Sequence, residues 1–214
     1  LVSDADHLLE VVRSTASSRG TDRDHVAMSL FSQAYAFRIA SLAIGAWLLD
    51  DAVLDLDPAR MSVVLGRGRP NAVHPHELRS IPTDDPLGTL HEVLVDGHLA
   101  PFIANARAGC RIGEALLWAN AGAACASAFG AFMAPLPERR AEIRDRFGSF
   151  LAIARPELKA SGRIVPLGPV WSWDRSACCL WYKTESGSRC EDCSLWTAAE
   201  RQARYDRMLA ELER

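Results

Sequence analysis

The chain has 214 residues, of which 49% are hydrophobic and 24% charged, enough to bury a real core in one domain or at most two small ones. Its 24 basic and 27 acidic side chains leave a net charge of -3, and no basic run is long enough to grip a phosphate backbone, which argues against nucleic acid as a partner. Residues Leu1 to Glu10 carry Asp4, Asp6 and Glu10 with no cationic segment ahead of an apolar one, so they do not read as an export signal, and a reducing cytoplasm is the expected compartment.

In chain order, helical signals dominate. A short amphipathic helix is expected around Leu8 to Val12, and Thr21-Asp22-Arg23-Asp24 offers the start of an apolar-rich helix from about His25 to Leu49. Asp50 and Asp51 end it and are expected to face water. Met61 to Leu65, the turn-like Gly66-Arg67-Gly68-Arg69-Pro70 and then Asn71 to Pro75 read as a β-hairpin, the one clear β signal. Ser80 to Asp85 reads as a loop. Helical periodicity returns from about Leu87 to Ala106, with His91 and His98 seven apart on one face, the pattern of satisfied core or groove histidines.

A third long helix is expected from about Ile112. Ala115 to Leu136 carries no formal charge, which raises a membrane span. Nine alanines, two glycines and Asn120 make it smooth rather than strongly apolar, so it reads as a central helix against which others pack closely. A further helix runs from Leu136 to about Ala154 and is cut by Pro156. Gly162, Pro166, Gly168 and Pro169 then read as a loop leading to the cysteines, and Thr197 to Arg214 reads as a closing charged helix. The fold class expected is α+β, predominantly helical, as a single domain over 1–214. A mostly helical substrate-binding body covers 1–165, and a cysteine segment with its closing helix covers 166–214.

Cys178-Cys179, ten residues, then Cys190 and Cys193 are the chemical centre of the sequence. A two-residue gap lets Cys190 and Cys193 reach one iron or zinc ion, and Cys178 and Cys179 are the soft pair available to complete the ligand set. Adjacent cysteines match a zinc ribbon poorly, whereas a 2Fe-2S unit accepts more varied spacings. Structural zinc, vicinal redox thiols and four merely buried cysteines stand as the other readings. Cys110 and Cys125 sit apart in apolar helical sequence and read as core residues. Trp171, Trp173, Trp181 and Trp196 surround the group, an aromatic shell that would limit water at a metal, or simply the packing of the chain's end. Arg175, Lys183 and Arg189 would oppose thiolate charge if they face it, and Gly187 permits a tight turn in the intervening loop.

The run Arg175-Ser176-Ala177-Cys178-Cys179-Leu180-Trp181-Tyr182-Lys183, followed by Cys190-Glu191-Asp192-Cys193-Ser194-Leu195, resembles the C-terminal signature of FhuF-like ferric siderophore reductases. Trp118-Ala119-Asn120-Ala121 in a small-residue helix is similar to an element of the same family. The resemblance implies one 2Fe-2S cluster on Cys178, Cys179, Cys190 and Cys193, and one-electron reduction of iron(III) held by hydroxamate-type siderophores. An external donor such as a ferredoxin or a reductase would reload it, since no Gly-rich strand-to-helix turn for a dinucleotide is present. Peripheral contact with the inner membrane face during substrate transfer is compatible with that role. Arg67, Arg69, His74 and His76, on the hairpin and its exit, are the candidate substrate-binding residues. The alternative is a non-catalytic siderophore- or iron-handling module in which the cysteines hold structural zinc or a structural cluster.

Overall fold

The computed structural model describes residues 3–66 and 68–212. Helix α1 (Ala5–Ala16) is capped by the Asp4 carboxylate, which accepts from the His7 amide, and buries Leu8 and Val12. Gly20 then turns the chain into α2 (Asp24–Asp50), a 27-residue helix with buried residues on nearly every side. That all-round burial marks it as the central rod. Its main partner is α5 (Glu114–Ala131), whose run of Ala and Gly lets the two backbones approach closely. No helix among the described residues is long and apolar enough to cross a membrane, which agrees with reading the uncharged Ala115 to Leu136 stretch as a packed helix.

The expected hairpin, β1 (Met61–Gly66) and β2 (Arg69–Pro75), packs through β2 on α2 and is antiparallel, with Met61 opposite Pro75 and an irregularity after Val64. Its turn at Gly68 has φ 70°, and a Cβ there would fall 1.4 Å from Ser18 Oγ. Only glycine lets the hairpin tip seat on the corner between α1 and α2. After the hairpin, α3 (Pro86–Leu90), a π-helical stretch (His91–Leu99) and α4 (Ala100–Gly109) run on as one continuous helix. The wide turns precede Pro101, which has no N–H for the usual ladder and whose ring would strike the carbonyl four residues back, so the helix continues only by loosening.

Both histidines of that stretch are buried and hydrogen bonded. His91 Nε2 meets the Phe150 carbonyl at 2.7 Å, while His98 Nδ1 donates to the Leu56 carbonyl at 2.9 Å and its Nε2 accepts from the Tyr35 hydroxyl. They are the satisfied core residues their spacing suggests. Cys110 and Cys125 are buried too, and Asp50 and Asp51 are exposed, with Asp51 pairing to Arg146 at 2.6 Å.

The chain's second half departs from the sequence reading at one place. The segment read as a loop forms a second hairpin, β3 (Gly162–Leu167) and β4 (Val170–Arg175), reached through α6 (Arg140–Ile153) and the short α7 (Pro156–Lys159). Pro166 is tolerated because a two-stranded sheet is all edge, and Gly168-Pro169 supplies the turn. Alternate residues of β4 explain the strand: Trp171 and Trp173 point inward against Phe147 at ring separations of 5.5 and 5.7 Å. Asp174, also buried, binds the Tyr205 hydroxyl, Arg201 at 2.9 Å and Arg163 at 3.0 Å, which fastens α8 (Ala198–Leu212) to the strand.

Burial pushes the His98 imidazole from its ordinary value of 6.5 down to about 4, so the folded protein refuses a proton that the unfolded chain accepts. Between those values the unfolded state binds more protons, and stability falls as pH drops. The contribution is full above pH 6.5 and about 3 kcal/mol of it is lost by pH 4. Urea midpoints across this range should fall less steeply for His98→Gln than for the parent; equal slopes would show that His98 is not the group responsible.

Candidate metal centre

The cysteines follow β4 directly, so the strand that buries Trp171 and Trp173 also aims the segment that bears them. Arg175, the last residue of β4, has a fully buried side chain. Its Nη2 donates to Asn120 Oδ1 on α5, and its Nη1 lies 3.7 Å from Asp192 Oδ2 and 4.0 Å from Cys190 Sγ. With its oxygen committed to Arg175, the Asn120 amide turns its Nδ2 to α2, donating to the Ser29 carbonyl at 2.9 Å, Ser29 Oγ at 3.1 Å and Ser32 Oγ at 3.0 Å. Ser29 Oγ donates in turn to the carbonyl of Cys179 at 2.7 Å. A closed polar circuit thus runs from α2 through α5 and β4 to sulfur and back to α2. Asn120 is the residue of the Trp118-Ala119-Asn120-Ala121 element that carries it, while Trp118 packs beneath Arg155 at 4.9 Å.

Cys179 Sγ and Cys190 Sγ are 3.6 Å apart. Two thiolates at about 2.3 Å from one tetrahedral metal ion stand about 3.8 Å apart, so this pair has a chelating separation. Cys178 accepts from the Leu180 amide at 3.4 Å, and Leu180 holds φ 68°, a left-handed backbone uncommon for a branched residue. Cys193, buried, lies near enough to Cys178 for its charge to raise that thiol. Hydrogen bonds from Cys178 and then Cys190 hold the Cys179 thiol well below its ordinary range, with Arg175 adding to the effect. The thiols of Cys178 and Cys190 are pushed up, first by sharing their hydrogen bonds with Cys179 and then by burial. Among the described residues no three His, Cys, Asp or Glu side chains yet stand at the mutual spacing of a closed ion cage. The sulfur donor set and the 3.6 Å pair suit iron or zinc, and a two-iron unit, which takes two thiolates on each metal, needs pairs rather than a single cage.

The other residues singled out in sequence divide. Gly187 sits where a Cβ would fall 1.8 Å from the Trp181 carbonyl, so the loop between the cysteine pairs closes only on glycine. Trp171 and Trp173 belong to the core. Trp196 caps the segment, its Nε1 donating to the Cys190 carbonyl at 2.9 Å, and Trp181 is 40% exposed. Arg189 pairs with Glu200 at 3.1 Å and stacks on Trp196, and Lys183 lies over Tyr182.

Two clefts meet at Trp181 and Cys190. One, of about 370 Å³, is lined by Cys179, Cys190, Trp181, Phe37, Arg19, Arg38 and Arg69. The other, of about 520 Å³, lies between β4, α5 and α8 and is bordered by Trp171, Trp173, Glu191, Asp192 and Arg204. Of the hairpin candidates, Arg69 reaches the first cleft, and Arg67 lies outside the described residues. His74 and His76 are exposed, His76 bonding Ser62 Oγ at 2.8 Å, and neither is among the residues lining that cleft. Arg19 and Arg38, which the sequence reading passed over, come to Arg69 from 31 to 50 positions away, a distance no local pattern spans.

Fold and site together define a mostly helical α+β protein whose buried polar circuit is directed at a group of thiols. The sequence profile of the family described as ferric iron reductase FhuF-like transporter matches residues 29–163, more than half of the chain, and the protein belongs to that family. No curated protein matches it. The matched span begins at Ser29 and contains Asn120, but ends before Arg175 and the four cysteines.

Replacing Asn120 by Leu removes the partner of a buried guanidinium, and uncompensated buried charge costs roughly 3 kcal/mol or more. Asn120→Leu should lower the denaturant midpoint accordingly, and a change below about 0.5 kcal/mol, the scale of an ordinary surface substitution, would show that Arg175 does not depend on it.

Proposed function

We propose that the protein is a ferric siderophore reductase that passes one electron to iron(III) in hydroxamate-type siderophores and so releases iron(II) in the cytoplasm. The observation that carries this reading is the Cys179 and Cys190 pair at a chelating separation in the lining of an open cleft, with the buried Arg175 guanidinium beside it. Family membership supports reduction of siderophore iron in general. Cys178, Cys179, Cys190 and Cys193 would hold a 2Fe-2S cluster, which when bound supplies single electrons without bonding to the substrate. Hard oxygen donors grip iron(III) far more firmly than iron(II), so reduction is itself the release step.

The chain's own groups have three tasks in this scheme. Arg175 offsets thiolate charge from a position fixed by Asn120, which favours the more reduced state of whatever the sulfurs hold. The Leu180 amide directs its hydrogen at Cys178 sulfur, a contact of the kind that tunes iron-sulfur potentials. Trp196 covers the Cys190 carbonyl, Trp171 and Trp173 give the second cleft an apolar wall, and Trp181 stands where the two clefts meet. An external one-electron donor of the ferredoxin or reductase class reloads the protein.

Anaerobic stopped-flow absorbance tests this directly. Chemically reduced protein mixed with excess ferric hydroxamate should reoxidise with one electron per cluster; a spectrum unchanged over many minutes, or a colourless protein containing zinc, would overturn the reductase reading in favour of a binding module. Serine at any of Cys178, Cys179, Cys190 or Cys193 should abolish bound iron and sulfide, whereas Cys110→Ala and Cys125→Ala should keep both. Loss of the chromophore in either alanine variant would disprove the ligand assignment.

A further inference from the structure

Arg19, Arg38 and Arg69 share the cleft that opens on Cys179 and Cys190. They arrive from three elements: the turn after α1, the middle of α2 and the first residue of β2. Most of the other described arginines are answered by carboxylates, with Arg23, Arg111, Arg140 and Arg207 as scattered exceptions. Arg13, Arg60, Arg107, Arg139, Arg146 and Arg155 each meet one within 3.0 Å. The three cleft arginines make no such pair among the described residues, although acidic groups outnumber basic ones in the protein. Arg38 Nε donates to the Asn71 carbonyl at 2.8 Å and Arg19 Nε to the Gly68 carbonyl at 3.3 Å. Those bonds use one donor of each guanidinium and seat the hairpin, which fixes the rest of the fork in place.

Burial and then the neighbouring Arg69 charge lower both Arg19 and Arg38, so each is repelled by Arg69. Two half-buried arginines beside the exposed Arg69, with no carboxylate paired to any of them, mark a place suited to an anion. Phe37 and Leu30 add an apolar patch to the lining, suited to the hydrocarbon links of a chelator. Thiolates and an anionic chelate repel each other, and cations around the opening remove that barrier to close approach.

We propose that this cleft selects ferric chelates of net negative charge, hydroxamate siderophores that also carry free carboxylates, over charge-neutral trihydroxamates. The proposal rests on the reductase reading for the nature of its ligand. Arg38 and Arg69 are the specificity-determining groups, with Arg19 supporting them, each able to meet a carboxylate through two parallel hydrogen bonds. One electron leaves the reduced protein and arrives on chelated iron(III), giving iron(II). No covalent bond forms or breaks, the arginines stay protonated, and a ferredoxin-class donor restores the electron.

Gallium(III) chelates separate binding from redox chemistry, because gallium(III) copies the charge and coordination of iron(III) and accepts no electron under these conditions. The protein would be titrated with the gallium complex of a carboxylate-bearing citrate dihydroxamate and with that of a neutral trihydroxamate, by calorimetry and tryptophan quenching. The anionic chelate should bind about tenfold more tightly or better at low salt, an advantage that shrinks as ionic strength rises. Arg38→Gln and Arg69→Gln should each weaken the anionic chelate by roughly three- to tenfold and leave the neutral one within about twofold. Arg69 makes no hydrogen bond to the scaffold among those described, so its variant also controls for misfolding. Equal affinities for the two chelates, or variants that weaken both alike, would overturn the proposal. Stopped flow with the ferric forms keeps the two readings distinct. Reoxidation by both chelates with equal gallium affinities would sink the charge selection alone, whereas preferential gallium binding with no reoxidation would sink the reductase reading alone.

Discussion

The buried guanidinium of Arg175 is the constraint around which the rest is arranged. A cation taken from water must be met by partners placed in advance, and here there are three, Asn120 on α5 and Asp192 and Cys190 in the cysteine segment. Because Asn120 accepts from Arg175, its amide group has only one orientation that satisfies all its atoms, and that orientation reaches Ser29 and Ser32 on α2. The spacing of the two central helices and the position of a sulfur atom are therefore one geometric condition. The Ala-rich surface of α5 is what permits it, since larger side chains would hold α2 too far away for a single asparagine to bridge.

How far the sequence speaks for this structure depends on the range of each signal. The first hairpin was visible because Gly66, Gly68 and Pro70 punctuate it locally, and the cysteine pairs because metal spacing is a local property. The second hairpin is hidden by the same punctuation: Pro166, Gly168 and Pro169 overshadow the Trp171-Ser172-Trp173 alternation that buries the two tryptophans of β4. The π-helical turns before Pro101 leave no mark on hydrophobic periodicity, although the proline itself was a clue. Arg19 and Arg38 carry no local signal in the sequence. Their meaning comes only from the corner and hairpin that bring them to Arg69.

Charge is also unevenly distributed in a way that composition conceals. The single net figure of -3 averages a body where most arginines pair with carboxylates and a cleft where three arginines gather without them. Surface pairs of that kind contribute little to stability. Where they occur they neutralise their surroundings, which leaves the three gathered cations as a local positive field at the cleft.

Cys190 borders both clefts, with Trp181 standing between them. A residue that borders two joined clefts can be approached from either side, so the geometry imposes no order of arrival. A molecule seated on one side leaves the other mouth free, so two visitors need not queue for the same doorway, and the time one takes to depart need not delay the next.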